Sequence, residues 1–456
     1  MLVSPDQRVR LADQFSVAAA PELEAVFVGA AAAQPAFGAA SAAVASAVQL
    51  GFVPDAGDVS LNNLPLAFSS AAAFDAAFPG DDSWLAHGVH DFFNAGGVRA
   101  WVVRVAVAPD APIDAYMRPN PPIVSALPPT GVEIAMQVPS AGLLVLPDLE
   151  YLCLASSLPL PLALPDAPPV PPGFRPLTDF VAPPRPLVPP PPVTTAAVLP
   201  GAVLSRVSTA LALRRRDMLC LFALPIGADQ TLTVPALVKR AEAYIHANAS
   251  PGPDLPQVQA FAPLMRDVAG AIASPSGLIA GVLSAAAETD GVWRSITGRP
   301  LPLGATPLRR IESNALAELR SSGIAVLCFT SGGMVLDDDV LACSDGPGAA
   351  ARRSAGTRRL MGWLLRNLQS FGEQLVFENV LDDGLVELIL TDLFAALLKR
   401  GALNGRQVSD AVSITRSPDS DAALIYDIRI NAAVALETIQ LQFLDGALTT
   451  TLKAAA

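Results

Sequence analysis

Five short apolar runs, spread along 456 residues, constrain this chain more than any other feature of its sequence. The runs are AVFVGAA at 25–31, RAWVVRV at 99–105, AGLLVLPDL at 141–149, RDMLCLFALPIG at 216–227 and GIAVLCFTSGG at 323–333. Short runs of this kind are typical of strands that are buried on both faces of a sheet. Helical segments lie between them, so the sequence predicts a mixed α/β fold.

Helices are predicted where apolar residues recur at helical spacing. In SWLAHGVHDFFNAGGVRAWVVRV (83–105) a helix leads through Gly96–Gly97, a pair suited to a left-handed helix end, into one of the strands. The segments 358–371 and 383–403 are amphipathic, and the second is expected to end at Gly401. Its apolar stripe is formed by Val386, Ile389, Leu390, Leu393, Phe394 and Leu397.

Both ends of the chain carry strand patterns. Residues 7–18 alternate between apolar and polar, and residues 437–445 do the same. Neither segment has an obvious hairpin partner nearby, so we expect the two to pair with each other between neighbouring subunits. The apolar residues assigned to these arms are Val9, Leu11, Phe15, Val17, Ile439, Leu441 and Phe443.

Prolines are concentrated in one segment, with sixteen of the 43 falling between Pro159 and Pro200. Proline lacks a backbone donor and cannot continue a strand ladder or a helix. Residues 156–203 are therefore predicted to form an extended insertion, held against a surface by their Leu, Val and Phe side chains.

The charge content of the chain limits its class. Charged residues make up 16% and hydrophobic residues 52% of the sequence, whereas globular chains carry about 25% charged residues. A large surface with so few charges is expected to be covered by partner subunits. With 30 basic against 42 acidic residues the net charge is −12, which argues against binding to nucleic acid.

Signals for export or membrane insertion are weak. The four cysteines are far apart and form no CxxC pair, so we expect free thiols in a reducing cytoplasm. Residues 1–15 mix charges and lack the apolar core of a secretion signal. The charge-free stretch 26–54 is dominated by alanine and interrupted by glycine and proline, so no direct membrane insertion is expected.

Candidate catalytic and metal-binding residues are few. His87 and His90 lie three apart on one predicted helix without a visible third ligand, so a polar helix face is expected instead of a zinc site. Asp337–Asp339 are interpreted as an exposed acidic turn. Ser274 and Ser276 lack the GxSxG context of hydrolases, and no GxGxxG or Walker motif follows a strand. The sequence predicts no catalytic, cofactor-binding or metal site, and an α/β hydrolase-like enzyme is the alternative of another class.

Taken in order, these blocks resemble those of contractile tail sheath proteins, which occur in contractile phages, R-type pyocins and extracellular contractile injection systems. The block at 83–105 is similar to the helix–Gly-Gly–RxxxVRV block of that family. The segment SPSGLIAGVLSAAAETDGVWRSITGRPL (274–301) is similar to its PPSG–AG–A–TD–GVW–PAN segment. Similar blocks follow one another over most of residues 25–445.

The sequence departs from the family pattern in four places. The N-terminal PGVYxEE stretch is missing, and PAN is replaced by ITG at 296–298. An aromatic YPW-like stretch is reduced to AFAPLM at 260–265, and the proline-rich insertion is peculiar to this chain. The subtype stays open between phage tail, pyocin and injection system, and between a main sheath and a specialised baseplate-proximal or terminal-ring paralogue.

The resemblance implies a subunit with a central α/β domain, a helix-rich C-terminal core domain and extended terminal strand arms. The implied divisions are an N-terminal linking arm at 1–24, an N-terminal sheath domain at 25–139, a central domain at 140–348 and a C-terminal domain at 349–456. A packing motif is implied as well. Gly277 and Gly281 would allow close backbone packing. Asp290, Trp293 and Arg294 would anchor the turn that follows.

The resemblance further implies a structural role without catalysis, cofactor or metal. Subunits would form hexameric rings stacked helically around an inner tube, and would contract when a baseplate triggers them. Partners would be further copies of the chain, the tube protein, and baseplate and cap or terminator proteins. Assembly in the bacterial cytoplasm would precede incorporation into a phage tail or a released particle. The helix at 385–400 would face the tube with Glu387, Asp392, Lys399 and Arg400.

Overall fold

The computed structural model describes most of the chain beyond its N-terminus and outside its proline-rich segment. The described residues are 23–31, 33, 35–52, 60–106, 113–118, 129–154, 199–226, 233–246, 257–267, 272–302, 305–343, 353–378, 383–416, 423–433, 436–444 and 447–454. Residues 156–198 of the predicted insertion lie outside these ranges. So do residues 1–22 of the predicted arm, with Val9, Leu11, Phe15 and Val17.

A mixed sheet of eight strands forms the centre of the fold. Numbered in chain order with the three strands of a small second sheet, the strands are β1 (Glu24–Gly29), β2 (Pro65–Phe68), β3 (Ala100–Arg104), β4 (Ala141–Val145), β5 (Leu219–Ala223), β6 (Val258–Ala262), β7 (Met265–Arg266), β8 (Ile272–Ala273), β9 (Thr306–Pro307), β10 (Ile324–Thr330) and β11 (Gly333–Leu336). The large sheet has the order β11-β10-β6-β5-β4-β1-β3-β2, and the small sheet the order β8-β7-β9. Each of the five predicted apolar runs forms one strand of the large sheet, so the predicted α/β class is confirmed.

The inner strands of the large sheet run parallel. β1 lies between β3 and β4, and parallel pairing continues from β4 through β5 and β6 to β10. The edge strands β2 and β11 are antiparallel to their neighbours. Side chains of β1 alternate between two cores, with Val26 and Val28 on one face and Ala25 and Phe27 on the other. Both faces are covered, and this explains why the strands are apolar throughout.

Helices supply the cover on both faces. Before the C-terminal region they are α1 (Ser41–Gln49), α2 (Ala71–Ala77), α3 (Trp84–Asn94), α4 (Ile113–Tyr116), α5 (Val132–Ala135), α6 (Pro147–Leu152), α7 (Pro200–Arg214), α8 (Val234–His246), α9 (Ser276–Thr289) and α10 (Ser313–Ser321). Helices α3 and α9 share one core with Phe27, whereas α7, α8 and α10 share the opposite core with Val26. Gly96 follows α3 with a φ of +90°, which is the left-handed helix end that the glycine pair predicted.

The C-terminal region adds two long helices and a four-stranded sheet. Helices α11 (Ala355–Glu378) and α12 (Asp383–Lys399) are the two predicted amphipathic helices, and Gly401 ends the second with a φ of +76°. They are followed by α13 (Val408–Ala411) and the antiparallel strands β12 (Val412–Arg416), β13 (Ala423–Asn431), β14 (Leu436–Leu444) and β15 (Ala447–Ala454). Apolar residues of α11, α12 and β13 belong to the same core as Phe27, so this region packs directly on one face of the large sheet.

Two predictions about chain segments are wrong. Residues 437–444 of the predicted arm do have local partners, because β14 pairs along its length with β13 on one side and β15 on the other. The sequence of β15, ALTTTLKA, has too few apolar residues for alternation to reveal it. The predicted insertion also ends too late, since residues 200–203 form the first turn of α7. Proline at 200 fits that position because the first amides of a helix have no partner within it.

The predicted boundary between residues 139 and 140 falls inside the stretch that builds the large sheet. Strands β1, β2 and β3 precede it, and the other strands follow. Yet β1 and β4 pair directly, from Glu24 with Ala141 to Phe27 with Val145. The four divisions of the chain stay predictions. The large sheet contains strands from both sides of the boundary between residues 139 and 140.

Candidate functional site

Helices α3 and α9 touch through their backbones at what we call the glycine contact. Gly277 and Gly281 of α9 lie there against Gly88 and Phe92 of α3. A Cβ atom on Gly277 would overlap the carbonyl oxygen of Gly88, and one on Gly281 would overlap that of Phe92. Glycine is needed at both positions because any other residue brings the atom that prevents this approach.

The turn after α9 holds the other residues of the predicted packing motif. Asp290 ends the helix and pairs with Arg299 at 2.6 Å, with both side chains part exposed. Trp293 is 7% exposed, and the guanidinium carbon of Arg400 lies 5.7 Å from the centre of its ring. The side chain of Arg294 is exposed, and the protein holds this residue through its carbonyl oxygen.

A buried arginine of α11 fastens this turn, in what we call the arginine contact. The Arg359 guanidinium donates to both carboxylate oxygens of Asp339, at 3.0 and 2.6 Å. It also donates to the carbonyl oxygens of Val292 and Arg294, each at 3.0 Å. Gln259 of β6 donates to Asp339 at 2.8 Å. One side chain thus joins α11, the turn after α9 and the end of the sheet.

The interpretation of residues 337–339 as an exposed acidic turn is wrong. Asp339 is 7% exposed and bound to Arg359, and Asp337 is 16% exposed and pairs with Arg320 of α10. A run of three acidic residues gives no sign of these arginines, which reach it from two different helices.

A second ionic cluster joins α11 to the turn before β5. Arg215 donates to both carboxylate oxygens of Asp217 at 2.8 Å, and to main-chain carbonyl oxygens between residues 136 and 141. Arg366 of α11 donates to the main-chain carbonyl oxygen of Asp217 at 2.8 Å. Burial would raise the pKa of Asp217, but the bonds to Arg215 and the charge of Arg366 outweigh it and hold the pKa below its ordinary value.

Helix α12 presents a charged face to solvent. Its predicted apolar stripe is buried throughout. Glu387, Asp392 and Lys399 are exposed, whereas Arg400 is only part exposed because it lies over Trp293. Three of the four predicted tube-facing side chains are therefore accessible to a partner, and Arg400 contributes to packing on the turn.

The predicted C-terminal arm residues lie within a sheet of their own chain. Ile439 stands opposite Ile428 of β13 and Leu452 of β15, and Leu441 and Phe443 are paired on both sides in the same way. A strand from another subunit can therefore join this sheet only at the outer edges of β12 and β15, or after displacing one of them.

The described histidines do not form a metal-binding site. His87 pairs with Asp82 at 2.7 Å and His90 with Asp75 at 2.6 Å, so the two histidines have different partners. In the described ranges no three or more His, Cys, Asp and Glu side chains come together to hold a metal ion. None of the helices in those ranges has both the length and the apolar character to cross a membrane.

Two carboxylates of α6 are buried although the sequence pattern does not single them out. Asp148 is 9% and Glu150 2% exposed. Each accepts a hydrogen bond at 2.7 Å from a main-chain amide at the end of a strand, Ala30 after β1 and Ala223 in β5. Burial is the main cause that raises the pKa of each carboxyl group to about 7. The only sign in the sequence is a pair of acids within an otherwise apolar segment.

Comparison with known proteins identifies the fold. No protein-family model matches the sequence, and the search of curated proteins finds no relative. A chain of the anti-feeding prophage (AFP) baseplate, 6-fold symmetrised, is 15% identical with a TM-score of 0.56, over 91% of this chain and 90% of that one. A chain of the sheath complex of an extracellular contractile injection system, PVC, in the contracted state is 14% identical with a TM-score of 0.55, over 90% and 88%. The sheath tail protein of Listeria innocua is 10% identical with a TM-score of 0.50, over 98% of each chain.

These similarities extend along nearly the whole chain and include both the large sheet and the C-terminal region. At 10–15% identity they concern the fold. The chain has the fold of contractile sheath proteins, as the order of its sequence blocks predicted.

Proposed function

We propose that this chain is the sheath subunit of a contractile particle, and that its role is structural, not enzymatic. The observation that carries the proposal is the likeness to the AFP and PVC chains over about nine tenths of both lengths. A shared α/β core alone is found in proteins of many functions. A likeness over nine tenths of both chains is too long to come from the large sheet alone and must include part of the C-terminal region, which favours a common structural role.

In this proposal copies of the chain form hexameric rings that stack around an inner tube and contract to drive the tube through a target envelope. Similar chains come from a 6-fold symmetrised baseplate and from a contracted sheath complex, which supports ring assembly and contact with a baseplate. The low share of charged residues supports extensive contact between copies. Terminal strands link the rings, and a terminator or cap protein completes the set of partners.

Assembly is proposed to take place in the bacterial cytoplasm, before the chain becomes part of a phage tail or a released particle. The likeness to a chain of the AFP baseplate also fits a baseplate-proximal or terminal-ring paralogue. The α/β hydrolase-like alternative loses a candidate nucleophile, because Ser276 is fully buried and its hydroxyl donates to Glu150 at 2.5 Å.

Electron microscopy of the co-expressed components tests the proposal. The full chain should be produced with the tube protein of the same gene neighbourhood and viewed in negative stain. We expect tubes with a regular axial repeat and six-fold averaged rings. A chain that stays monomeric at all concentrations, with and without the tube protein, contradicts the proposal.

The exposed face of α12 is proposed to hold the tube. Contraction has to break this contact, so it must be weak in each subunit and add up along the tail. Screened ion pairs of about 0.2–1 kcal/mol each meet that demand better than an apolar seal. Lys399 is the cation best placed for it, because Arg400 is engaged with Trp293.

Charge reversal tests this grip. Lys399→Glu should give fewer extended, tube-filled particles, with the defect growing at low salt, while the isolated subunit keeps its stability. The matched control is Lys239→Glu, which makes the same charge change at an exposed lysine of α8. That helix lies on the opposite face of the sheet. Equal yields of filled particles from the two variants would show that α12 does not grip the tube through charge.

A further inference from the structure

The two buried carboxylates of α6 stand at the carboxyl edge of the sheet, beside the ends of β1 and β5, and the proposed function makes no use of them. We propose that Asp148 and Glu150 form a proton-binding site that makes the folded subunit more stable at mildly acidic than at mildly alkaline pH. This inference does not rest on the sheath role, since it concerns the folding of the single chain.

At Asp148 only one carboxylate oxygen is satisfied. Its Oδ2 accepts hydrogen bonds from the Ala30 amide at 2.7 Å and from the Tyr116 hydroxyl at 3.0 Å. Its Oδ1 is buried with no hydrogen-bond partner in the described ranges. A Cβ atom on Gly29 would lie 2.7 Å from that oxygen, so the backbone of β1 closes the site on this side. The negative charge of Asp81 further disfavours ionisation.

Glu150, which lies beside the end of β5, likewise has one carboxylate oxygen that accepts hydrogen bonds and one that does not. Its Oε1 accepts from the Ala223 amide at 2.7 Å and from the Ser276 hydroxyl at 2.5 Å, which ties α6 to β5 and to the first residue of α9. Its Oε2 is buried and accepts no hydrogen bond from any described residue. The thiols of Cys153 and Cys220 lie close enough for Glu150 to act on their ionisation. An ionised carboxylate with one unsatisfied buried oxygen is costly, and protonation removes that cost.

Among the described residues, the groups on the remaining side do not supply a permanent cation. A small cavity between α3, α6 and α9 is lined by His87, Asp91, Pro147 and Ser274. Ser274 acts to lower the pKa of Glu150, but burial outweighs it. His87 is itself bound to Asp82. The described neighbours of the two carboxylates are thus acidic, neutral or already paired, which leaves a proton as the species that neutralises them.

The sign of the effect follows from linkage. Burial, the largest cause, raises the pKa of each carboxyl group to about 7 in the folded chain. A carboxyl group in an unfolded chain has a pKa of about 4. The folded state therefore binds the protons more tightly, so the stabilisation is fully present below about pH 4 and is lost as the pH rises through about 7. Asp217, whose pKa is lowered, acts in the opposite sense below about pH 4 and does not interfere above it.

Urea unfolding of the isolated full-length chain between about pH 5 and pH 8 tests the proposal. The unfolding constant of the wild type should rise with pH by up to about tenfold per pH unit for each carboxyl group. Asp148→Asn and Glu150→Gln keep the side-chain shape and should each remove part of this slope, and the double variant should remove most of it. The control Asp290→Asn, which removes a part-exposed carboxylate, should keep the wild-type slope.

A double variant that unfolds with the wild-type pH dependence overturns the proposal. Should the amide variants fail to fold, infrared spectra of the wild type decide the matter. We expect a band from protonated buried carboxyl groups at about pH 5 that disappears by about pH 8, and its absence throughout that range overturns the proposal equally. Both measurements are made without tube or baseplate protein, so a negative result leaves the sheath proposal untouched.

Discussion

The glycine contact and the arginine contact hold helices in place beside the same sheet by opposite means. At the glycine contact, Gly277 and Gly281 contribute by lacking side chains, so that two helix backbones meet. At the arginine contact, Arg359 contributes a long charged side chain that donates to four acceptors, two of them the buried carboxylate oxygens of Asp339. The first contact is lost when atoms are added, and the second when atoms are removed. The two should therefore respond differently to compensating substitutions.

The largest effect is expected at the arginine contact. Arg359→Met leaves the Asp339 carboxylate buried without its cation, and we expect a loss of about 3–5 kcal/mol in the free energy of unfolding. Adding Asp339→Asn should restore a large part of it, because the second change removes the buried charge and keeps an acceptor for Gln259. Urea unfolding at neutral pH measures both. A double variant less stable than Arg359→Met alone would show that charge is not what this contact depends on.

An intermediate effect is expected at the glycine contact. Gly281→Ala places a methyl group on the carbonyl oxygen of Phe92, and we expect a loss of about 1–3 kcal/mol. Gly38→Ala is the control, because a Cβ at Gly38 meets nothing within 4 Å, and its effect should stay within about 0.5 kcal/mol. Phe92→Ala should not rescue Gly281→Ala, since the clash is with the main chain of Phe92 and the Cβ of Ala95, which that substitution leaves in place. Rescue would show that the contact is made by side chains and would remove the contrast between the two contacts.

The smallest effect is expected at the ion pair of Asp290 and Arg299, which lies in the same turn as the acceptors of Arg359. Their side chains are 39% and 42% exposed, so water screens the pair. Asp290→Asn should cost about 0–1 kcal/mol, and less at high salt. The same urea experiment measures this change. If Asp290→Asn lowered the free energy of unfolding as much as Arg359→Met does, solvent exposure would not explain the difference between the exposed and the buried ion pair.

The sequence predicts those features that depend on neighbouring residues. Apolar runs revealed the strands, and helical spacing revealed α3, α11 and α12, because burial on a sheet or along a helix face leaves a short-range period. β15 escaped because ALTTTLKA has no such period. The order of the strands could not be predicted either, since it depends on which distant segments pair.

The same distinction between neighbouring and distant residues decides which side-chain positions could be predicted. Glu387, Asp392 and Lys399 could be assigned to the exposed side of α12 because the apolar stripe fixes the opposite side. The packing of Arg400 on Trp293 could not, because the two are brought together only by tertiary structure. The same holds for Arg366, which bonds to Asp217 across 149 positions of sequence.

The place of β1 in the sheet sets an order on folding during synthesis. Among the described strands β1 is made first, yet its two neighbours, β3 and β4, follow after long intervals and end at Arg104 and Val145. Until β3 has left the ribosome β1 has neither neighbour, and until β4 follows one of its edges stays unpaired; such exposed strands are prone to aggregate. From β4 onward the chain adds β5, β6 and β10 in the order in which they are translated, so the later half of the sheet can grow one strand at a time. The nascent chain therefore exposes unpaired apolar strand residues early in translation, before the centre of the sheet has closed.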